Sequence, residues 1–105
     1  MANQRLRFIV FQDGEWLCAQ CVEFDLAAQG RTQPELYRVI DRLICSHIAV
    51  REKLGLTPFK DLPAAPRKYR DMFNRSKLKL PPMLIRPRGS GKGAPAELRV
   101  AAPAA

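Results

Sequence analysis

The chain has 105 residues, of which 47% are hydrophobic and 27% are charged, and its formal net charge is +8. This length suits one domain, and this composition excludes a wholly disordered or collagen-like chain. No apolar run is long enough to span a membrane, and the first residues lack the apolar core of a signal peptide, so we expect a cytoplasmic protein.

The N-terminal part of the chain predicts a three-stranded antiparallel meander. Residues 5–11 are rich in β-branched and aromatic residues, which favours a strand. Asp13-Gly14 is a strong hairpin signal, and residues 15–23 form the returning strand. A third short strand is expected at residues 26–29, closed by Gly30.

A long helix follows the meander. Thr32 and Glu35 have the spacing of a capping box, and Pro34 suits the first turn. The helix is predicted to run to Leu54, with Gly55 as its left-handed C-cap. Apolar residues recur along it at steps of three and four, which predicts one buried stripe: Leu36, Val39, Ile40, Leu43, Ile44, His47 and Ile48.

The second half of the chain is less regular. Residues 56–66 contain three prolines and predict an extended connector, and a short amphipathic helix is expected at residues 67–76. Residues 78–80 alternate like a strand before two prolines, and residues 83–85 could add an edge segment. From Pro87 onward the composition predicts disorder. The sequence therefore divides into an α+β core at 1–55, a connector with its helix at 56–86, and a flexible tail at 87–105.

The first strand is apolar on both faces, whereas the long helix can cover only one of them. We therefore predict a homodimer in which the uncovered face meets a second copy. The alternative is a monomer whose own C-terminal segment folds back over the sheet. The residues predicted for the dimer or partner interface are Ile9, Phe11, Tyr69, Met72 and Phe73.

The positive charge is concentrated downstream. Residues 1–55 balance seven bases against seven acids, so the whole excess lies in residues 56–105. The basic segment at residues 67–92 attracts the phosphates of RNA or DNA, so a nucleic-acid-binding protein is the alternative function, while packing with a solvated basic face is the simpler interpretation. The candidate nucleic-acid contacts are Arg67, Lys68, Arg70, Arg75, Lys77 and Lys79.

The sequence does not indicate an enzyme, a metal site or a cofactor. Asp13 lies far along the hairpin from Glu23 and Asp25, so these carboxylates are not expected to converge on metal ions.

The three cysteines, Cys18, Cys21 and Cys45, are expected to be free and buried, since their spacing with His47 does not suit zinc. His47 falls on the apolar stripe and is expected to pack there or at an interface. The glycine-rich residues 89–93 lack the spacing of a phosphate-binding loop and are expected to be a flexible linker.

Several short motifs resemble the HicB-like antitoxin family. Asp13-Gly14-Glu15-Trp16 is similar to the family's acidic/glycine turn, and Gln29-Gly30-Arg31-Thr32 followed by Glu35-Leu36 is similar to its strand-to-helix junction. The resemblance covers residues 5–54. Glu23-Phe24-Asp25-Leu26 departs from it, since the family usually has Pro-Asp-Leu-Pro-Gly there.

The resemblance implies a core similar to a degraded ribonuclease H fold without catalytic carboxylates. It also implies a non-enzymatic protein that masks a partner, such as a HicA-type messenger-RNA interferase, as in a toxin–antitoxin system. The family's usual C-terminal DNA-binding domain has no counterpart in residues 56–105, so a HicB-like protein that acts without a toxin is also compatible with the sequence.

Overall fold

Five strands form one mixed β-sheet with a helix on each face in the computed structural model, which describes residues 5–87 and 94–101. The predicted α+β class is confirmed. In chain order the elements are β1 (Leu6–Asp13), β2 (Trp16–Cys21), β3 (Ala27–Gly30), α1 (Gln33–Lys53), α2 (Arg67–Arg75), β4 (Leu78–Ile85) and β5 (Ala94–Val100). The strand order is β3-β2-β1-β5-β4, with β1 and β5 parallel and the other pairs antiparallel.

The three-stranded meander was wrong as a description of the whole sheet, because two further strands extend it. Disorder from Pro87 onward was also wrong for β5, which lies between β1 and β4. Its residues Ala94, Ala96 and Leu98 are buried on the α1 side. Pro95 precedes Ala96, where the pairing with β1 begins, so it removes no donor from that ladder. The linker predicted at residues 89–93 lies outside the described residues.

The hairpin between β1 and β2 turns at Gly14-Glu15, one residue later than the predicted turn at Asp13-Gly14, since Asp13 belongs to β1 and pairs with Trp16. Gly14 has φ +60°, a conformation that glycine adopts without a steric penalty. The register that follows places Phe8 opposite Cys21 and Phe11 opposite Cys18. Residues directly opposite each other share a face, so the turn fixes which side chains lie together on each side of the sheet.

Helix α1 begins where the capping signal predicts. The Thr32 hydroxyl accepts a hydrogen bond from the Glu35 backbone N–H at 3.2 Å. The helix ends just before Gly55, which has φ +72°. Its buried stripe packs against the face of the sheet that carries the β1 side chains Leu6, Phe8 and Val10. The residues of the stripe are Leu36, Ile40, Ile44 and Ile48.

The junction between β3 and α1 has no room for a side chain at Gly30. A Cβ there would lie 2.7 Å from the Leu36 nitrogen and 3.0 Å from its Cα. Because both atoms belong to the helix backbone, they cannot move aside without displacing the helix. The glycine therefore lets α1 begin directly against the end of the strand.

Strand β4 is the outer strand beside β5, and it continues through Pro81-Pro82 with a register shift between Leu80 and Met83. An edge strand tolerates proline because one side of its backbone has no partner strand. The Tyr37 hydroxyl donates a 2.6 Å hydrogen bond to the Pro81 carbonyl, which ties the irregular part of β4 to α1.

Candidate interaction surface

The two faces of the sheet are covered to different extents. We call the side of the sheet that α2 packs against the α2 face. Alternation along the strands places Ile9 and Phe11 of β1 on this face, together with Trp16, Cys18 and Gln20 of β2. Helix α1 has 21 residues, whereas α2 has only nine. The shorter helix leaves part of its face partly exposed.

Helix α2 packs onto the centre of the α2 face. Phe73 is 2% exposed and contacts a small apolar cluster that includes Ile9 and Val22. At the end of the helix, the Ser76 hydroxyl donates a hydrogen bond to the Val100 carbonyl of β5. Helix α2 of the same chain thus covers the apolar face for which a second copy was predicted. The homodimer itself stays a prediction.

The predicted interface residues fall into two groups. Ile9 and Phe73 are buried within the chain, so their side chains form its second apolar cluster. Phe11, Tyr69 and Met72 are only partly buried. A partner that approaches the α2 face would meet the second group and not the first.

Three partly exposed aromatic side chains lie next to one another on the α2 face, and we call them the aromatic row: Tyr69, Phe11 and Trp16. The rings of Phe11 and Tyr69 are 6.3 Å apart between centroids and 17° from parallel. Phe11 pairs with Cys18, and Asp13 pairs with Trp16, so Phe11 and Trp16 are diagonal neighbours on adjacent strands.

A cation lies against each end of the aromatic row. The Arg31 guanidinium carbon is 4.9 Å from the centre of the Trp16 ring, and the Lys68 Nζ is 5.0 Å from the centre of the Tyr69 ring. Arg31 and Lys68 are both exposed. Trp16 and Arg31 are not among the site residues predicted from the sequence. The hairpin register could have found Trp16, because a two-residue turn places it diagonal to Phe11.

The bases predicted to contact nucleic acid lie around α2. Asp71 is the one acidic residue in this helix. Beside it, a hollow of about 420 Å³ is lined by Val22, Ala65, Arg67, Arg70, Asp71 and Asn74. Lys79 lies farther away and is 3.8 Å from Glu97. The exposed members of the predicted basic set are Arg67, Lys68, Arg70, Arg75, Lys77 and Lys79.

Two other arginines on this side are engaged by the protein. Arg7 forms an ion pair with Glu23, and Arg99 forms one with Glu97 at 2.9 Å. Their guanidinium carbons lie 5.4 and 4.4 Å from the centre of the Phe73 ring. These arginines therefore help to fix α2 on the sheet.

The carboxylates considered for catalysis have separate structural partners. Glu23 accepts hydrogen bonds from Arg7, while Asp25 accepts one from the Gln20 amide at 3.2 Å. Asp13 is exposed at the hairpin turn. Within residues 5–87 and 94–101, no group of three or more His, Cys, Asp or Glu side chains is arranged to hold a metal ion.

His47 anchors the connector to α1. Its Nε2 accepts a 2.9 Å hydrogen bond from the Phe59 backbone N–H, and the two rings are 4.8 Å apart. Phe59 is buried and has φ +68°, so these contacts hold a residue in the left-handed region. Burial, followed by the nearby charge of Arg51, lowers the pKa of His47 below its ordinary 6.5.

The three thiols are free, as the sequence predicts. Cys21 is buried, while Cys18 and Cys45 are partly exposed. Burial raises the pKa of Cys21 to about 11. Burial also raises the pKa of Cys18 and of Cys45, with smaller contributions from Asp13 and Asp41 respectively. The thiols are therefore predominantly protonated at neutral pH, which is the unreactive form.

No protein-family model matches this chain, and neither a curated protein nor a solved structure matches it. The HicB-like resemblance thus depends on the short motifs quoted above and stays a prediction. Among the residues that the structure describes, no helix is long and apolar enough to cross a membrane.

Proposed function

We propose that the protein is a non-enzymatic, HicB-like binding protein of the cytoplasm that holds its partner on the α2 face. The observation that carries this proposal is the aromatic row, three partly exposed aromatic side chains with a cation at each end. Aromatic and arginine side chains are the residues that most often dominate the energy of binding interfaces.

The candidate catalytic groups support binding over catalysis. Glu23 and Asp25 are each engaged by a neighbouring side chain, and His47 accepts the Phe59 N–H. A general base must reach a substrate proton with a free acceptor atom. The Nε2 atom of His47 is already occupied in this way, so its contribution is to packing.

The HicB-like assignment is supported by the structural tasks of the residues that carry the resemblance. Gly14 adopts the positive φ of the hairpin turn, Gly30 lets α1 approach β3 closely, and Thr32 caps α1. These positions require glycine or a capping hydroxyl for physical reasons. The partner that the resemblance implies is a HicA-type messenger-RNA interferase, whose active surface the protein would cover.

A nucleic acid is the second candidate partner, and the charge around α2 favours it. Four of the nine residues of α2 are Lys or Arg and one is acidic. Such a surface attracts phosphates, and the attraction weakens as the salt concentration rises, because the release of bound counterions then becomes less favourable.

The proposed function can be tested by purifying the untagged protein from its native host at low salt. We expect either a HicA-type protein or a nucleic acid to accompany the wild type, identified by mass spectrometry or by ultraviolet absorbance. Trp16→Ala should lose the partner. Tyr37→Ala, which removes an aromatic ring from the α1 side, should keep it.

The same two variants provide a control for folding and an outcome that would contradict the proposal. Thermal unfolding of each variant establishes that it is folded before its partner is scored. Retention by Trp16→Ala together with loss by Tyr37→Ala would place the binding surface on the α1 side and contradict the proposal.

A further inference from the structure

We infer that the aromatic row binds unpaired bases of a single-stranded nucleic acid, with Arg31 and Lys68 beside its phosphates. The inference rests on the proposed binding role of the α2 face and adds the chemical class of the partner. It also adds Trp16 and Arg31, which lie outside the basic segment at residues 67–92, to the binding site.

The aromatic row has the chemistry of a stacking surface. Bases of either RNA or DNA stack on aromatic side chains because every base has a π-face, and sheet faces carry such side chains in several single-strand-binding folds. Phe11 and Tyr69 are nearly parallel, and Trp16 lies diagonally next to Phe11. Each of the three side chains is partly exposed, so a base can reach the row without unfolding of α2.

The charges select a polyanion over a second copy of the chain. Two α2 faces brought together would oppose like charges, since α2 carries four Lys or Arg residues and one acidic residue. Acidic side chains are also present, with Asp13 and Glu15 at the hairpin and Asp71 on α2. The exposed basic residues on this side of the protein outnumber these acidic residues: Arg31, Arg67, Lys68, Arg70 and Arg75.

A single strand suits this surface better than a duplex. In a duplex the faces of the bases are covered by their neighbours, and side chains reach only base edges in the grooves. The aromatic row consists of partly exposed rings, and such rings stack on a nucleobase only when that nucleobase is unstacked from its neighbours. The basic side chains on the outer side of α2 would attract both single-stranded and duplex nucleic acid through their phosphates. The aromatic row is therefore the part of the surface that distinguishes a single strand from a duplex.

The test is a titration of labelled oligonucleotides of about ten nucleotides, a length within the usual range of single-strand sites. Fluorescence anisotropy is measured with oligouridylate, oligothymidylate and a duplex of the same length at about 50 mM salt. We expect the single strands to bind more tightly than the duplex. Phe11→Leu and Tyr69→Leu should each weaken single-strand binding by about 5- to 100-fold and leave duplex binding unchanged.

Matched controls separate stacking from charge. Tyr37→Leu removes an aromatic ring from the α1 side and should leave all affinities unchanged. Arg31→Gln with Lys68→Gln should weaken binding and flatten its dependence on salt, whereas Arg38→Gln with Arg42→Gln on α1 should not. Melting temperatures confirm that every variant is folded.

Three results would overturn the inference. The first is equal affinity of Phe11→Leu and wild type for single strands, with loss only in Arg67→Gln and Arg70→Gln. This result would leave nucleic-acid binding through α2 intact. The second is no binding of any oligonucleotide at low salt, after which the co-purification experiment alone decides the proposed function. The third is a dimer, seen by light scattering, that Phe11→Leu dissociates, because the row would then be a self-interface.

Discussion

The two sides of the sheet differ in how much of their apolar surface the chain covers by itself. On the α1 side, Leu36, Ile40 and Ile44 are fully buried, and Ile48 is 8% exposed. On the α2 side, the buried apolar side chains among the described residues are Phe73, Ile9 and Val22. A helix of nine residues is therefore long enough to bury the centre of this face, but it leaves the aromatic row partly exposed. The α1 side therefore contributes most of the buried core, and the α2 side is the one on which we propose that a partner binds.

The largest expected effect concerns β5, which contributes to the α1 side from the part of the chain that was predicted to be disordered. Leu98 is fully buried between β1 and β4, so Leu98→Asp would place a carboxylate in the core. We expect a loss of more than about 4 kcal/mol in the free energy of unfolding, measured with urea.

Leu84→Asp is the matched control for this prediction. Leu84 lies on β4 and is 53% exposed, so the same substitution there should change stability by no more than about 0.5 kcal/mol. Equal effects of the two variants would mean that β5 does not belong to the folded core.

A second prediction compares one apolar side chain from each side of the sheet. Ile44→Ala should cost about 2–5 kcal/mol, because it removes a fully buried side chain from the α1 core. Phe11→Leu on the aromatic row should cost about 1 kcal/mol or less, since this side chain is partly exposed. Urea unfolding of both variants measures the contrast, and a greater loss with Phe11→Leu would reverse our assignment of the two sides.

The third prediction concerns the start of α1. Gly30→Ala should destabilise the protein by about 1–3 kcal/mol, because the new Cβ would meet the backbone of Leu36. Gly14→Ala should cost only about 1 kcal/mol, since Gly14 has open space around it and only its positive φ is unfavourable. Thermal melts of the two variants provide the comparison, and an effect of Gly14→Ala equal to that of Gly30→Ala would argue against the close approach.

The smallest effect is the pH dependence contributed by His47. Its pKa is lower in the folded protein than the ordinary 6.5, so the unfolded chain takes up a proton more readily. The stability that depends on neutral His47 is therefore complete above pH 6.5 and falls as the pH drops below that value. His47→Gln should remove this part of the pH dependence, and at pH 7 it should cost about 0.5–1.5 kcal/mol, the net value of a hydrogen bond.

Unfolding free energies of wild type and His47→Gln between pH 5 and 8, the range in which histidine changes charge, test this prediction. Parallel curves would show that burial of His47 does not lower its pKa in the folded protein.

Local signals predicted the first half of the fold. The hairpin follows from Asp13-Gly14, and α1 follows from Thr32 and a stripe of aliphatic residues. Each of these signals is complete within a few residues of the chain. Their physical causes, a positive φ, a capping hydroxyl and a period of 3.6 residues, can therefore be read without knowledge of the tertiary structure.

The second half depends on contacts that no local pattern encodes. β5 has two alanines and a proline in its first three residues, a weak signal for a strand. It is a strand because its backbone pairs with β1 on one side and β4 on the other, and because small side chains fit beneath α1. Pro81-Pro82 likewise suggested a break, although an edge strand accommodates both residues through a register shift.

The candidate site likewise has residues that the sequence predicted and residues that only the tertiary structure reveals. The predicted set Tyr69, Met72 and Phe11 is partly exposed on one face, as an interface requires, but Ile9 and Phe73 are used by the chain itself. Trp16 and Arg31 were missed as site residues because they are distant in sequence from the basic segment. Only the strand pairing and the packing of α2 bring these residues onto the same face as Tyr69.

The most direct test of the account is the nuclear magnetic resonance spectrum of the protein during titration with oligouridylate. The chain has one tryptophan, so the indole N–H of Trp16 gives a single resonance at one end of the aromatic row. We predict that this resonance and the amides of Phe11 and Tyr69 shift together, while the amides of Ile40 and Ile44 on α1 stay in place. Shifts confined to α1, with the Trp16 indole unmoved, would contradict the assignment of the α2 face as the binding surface.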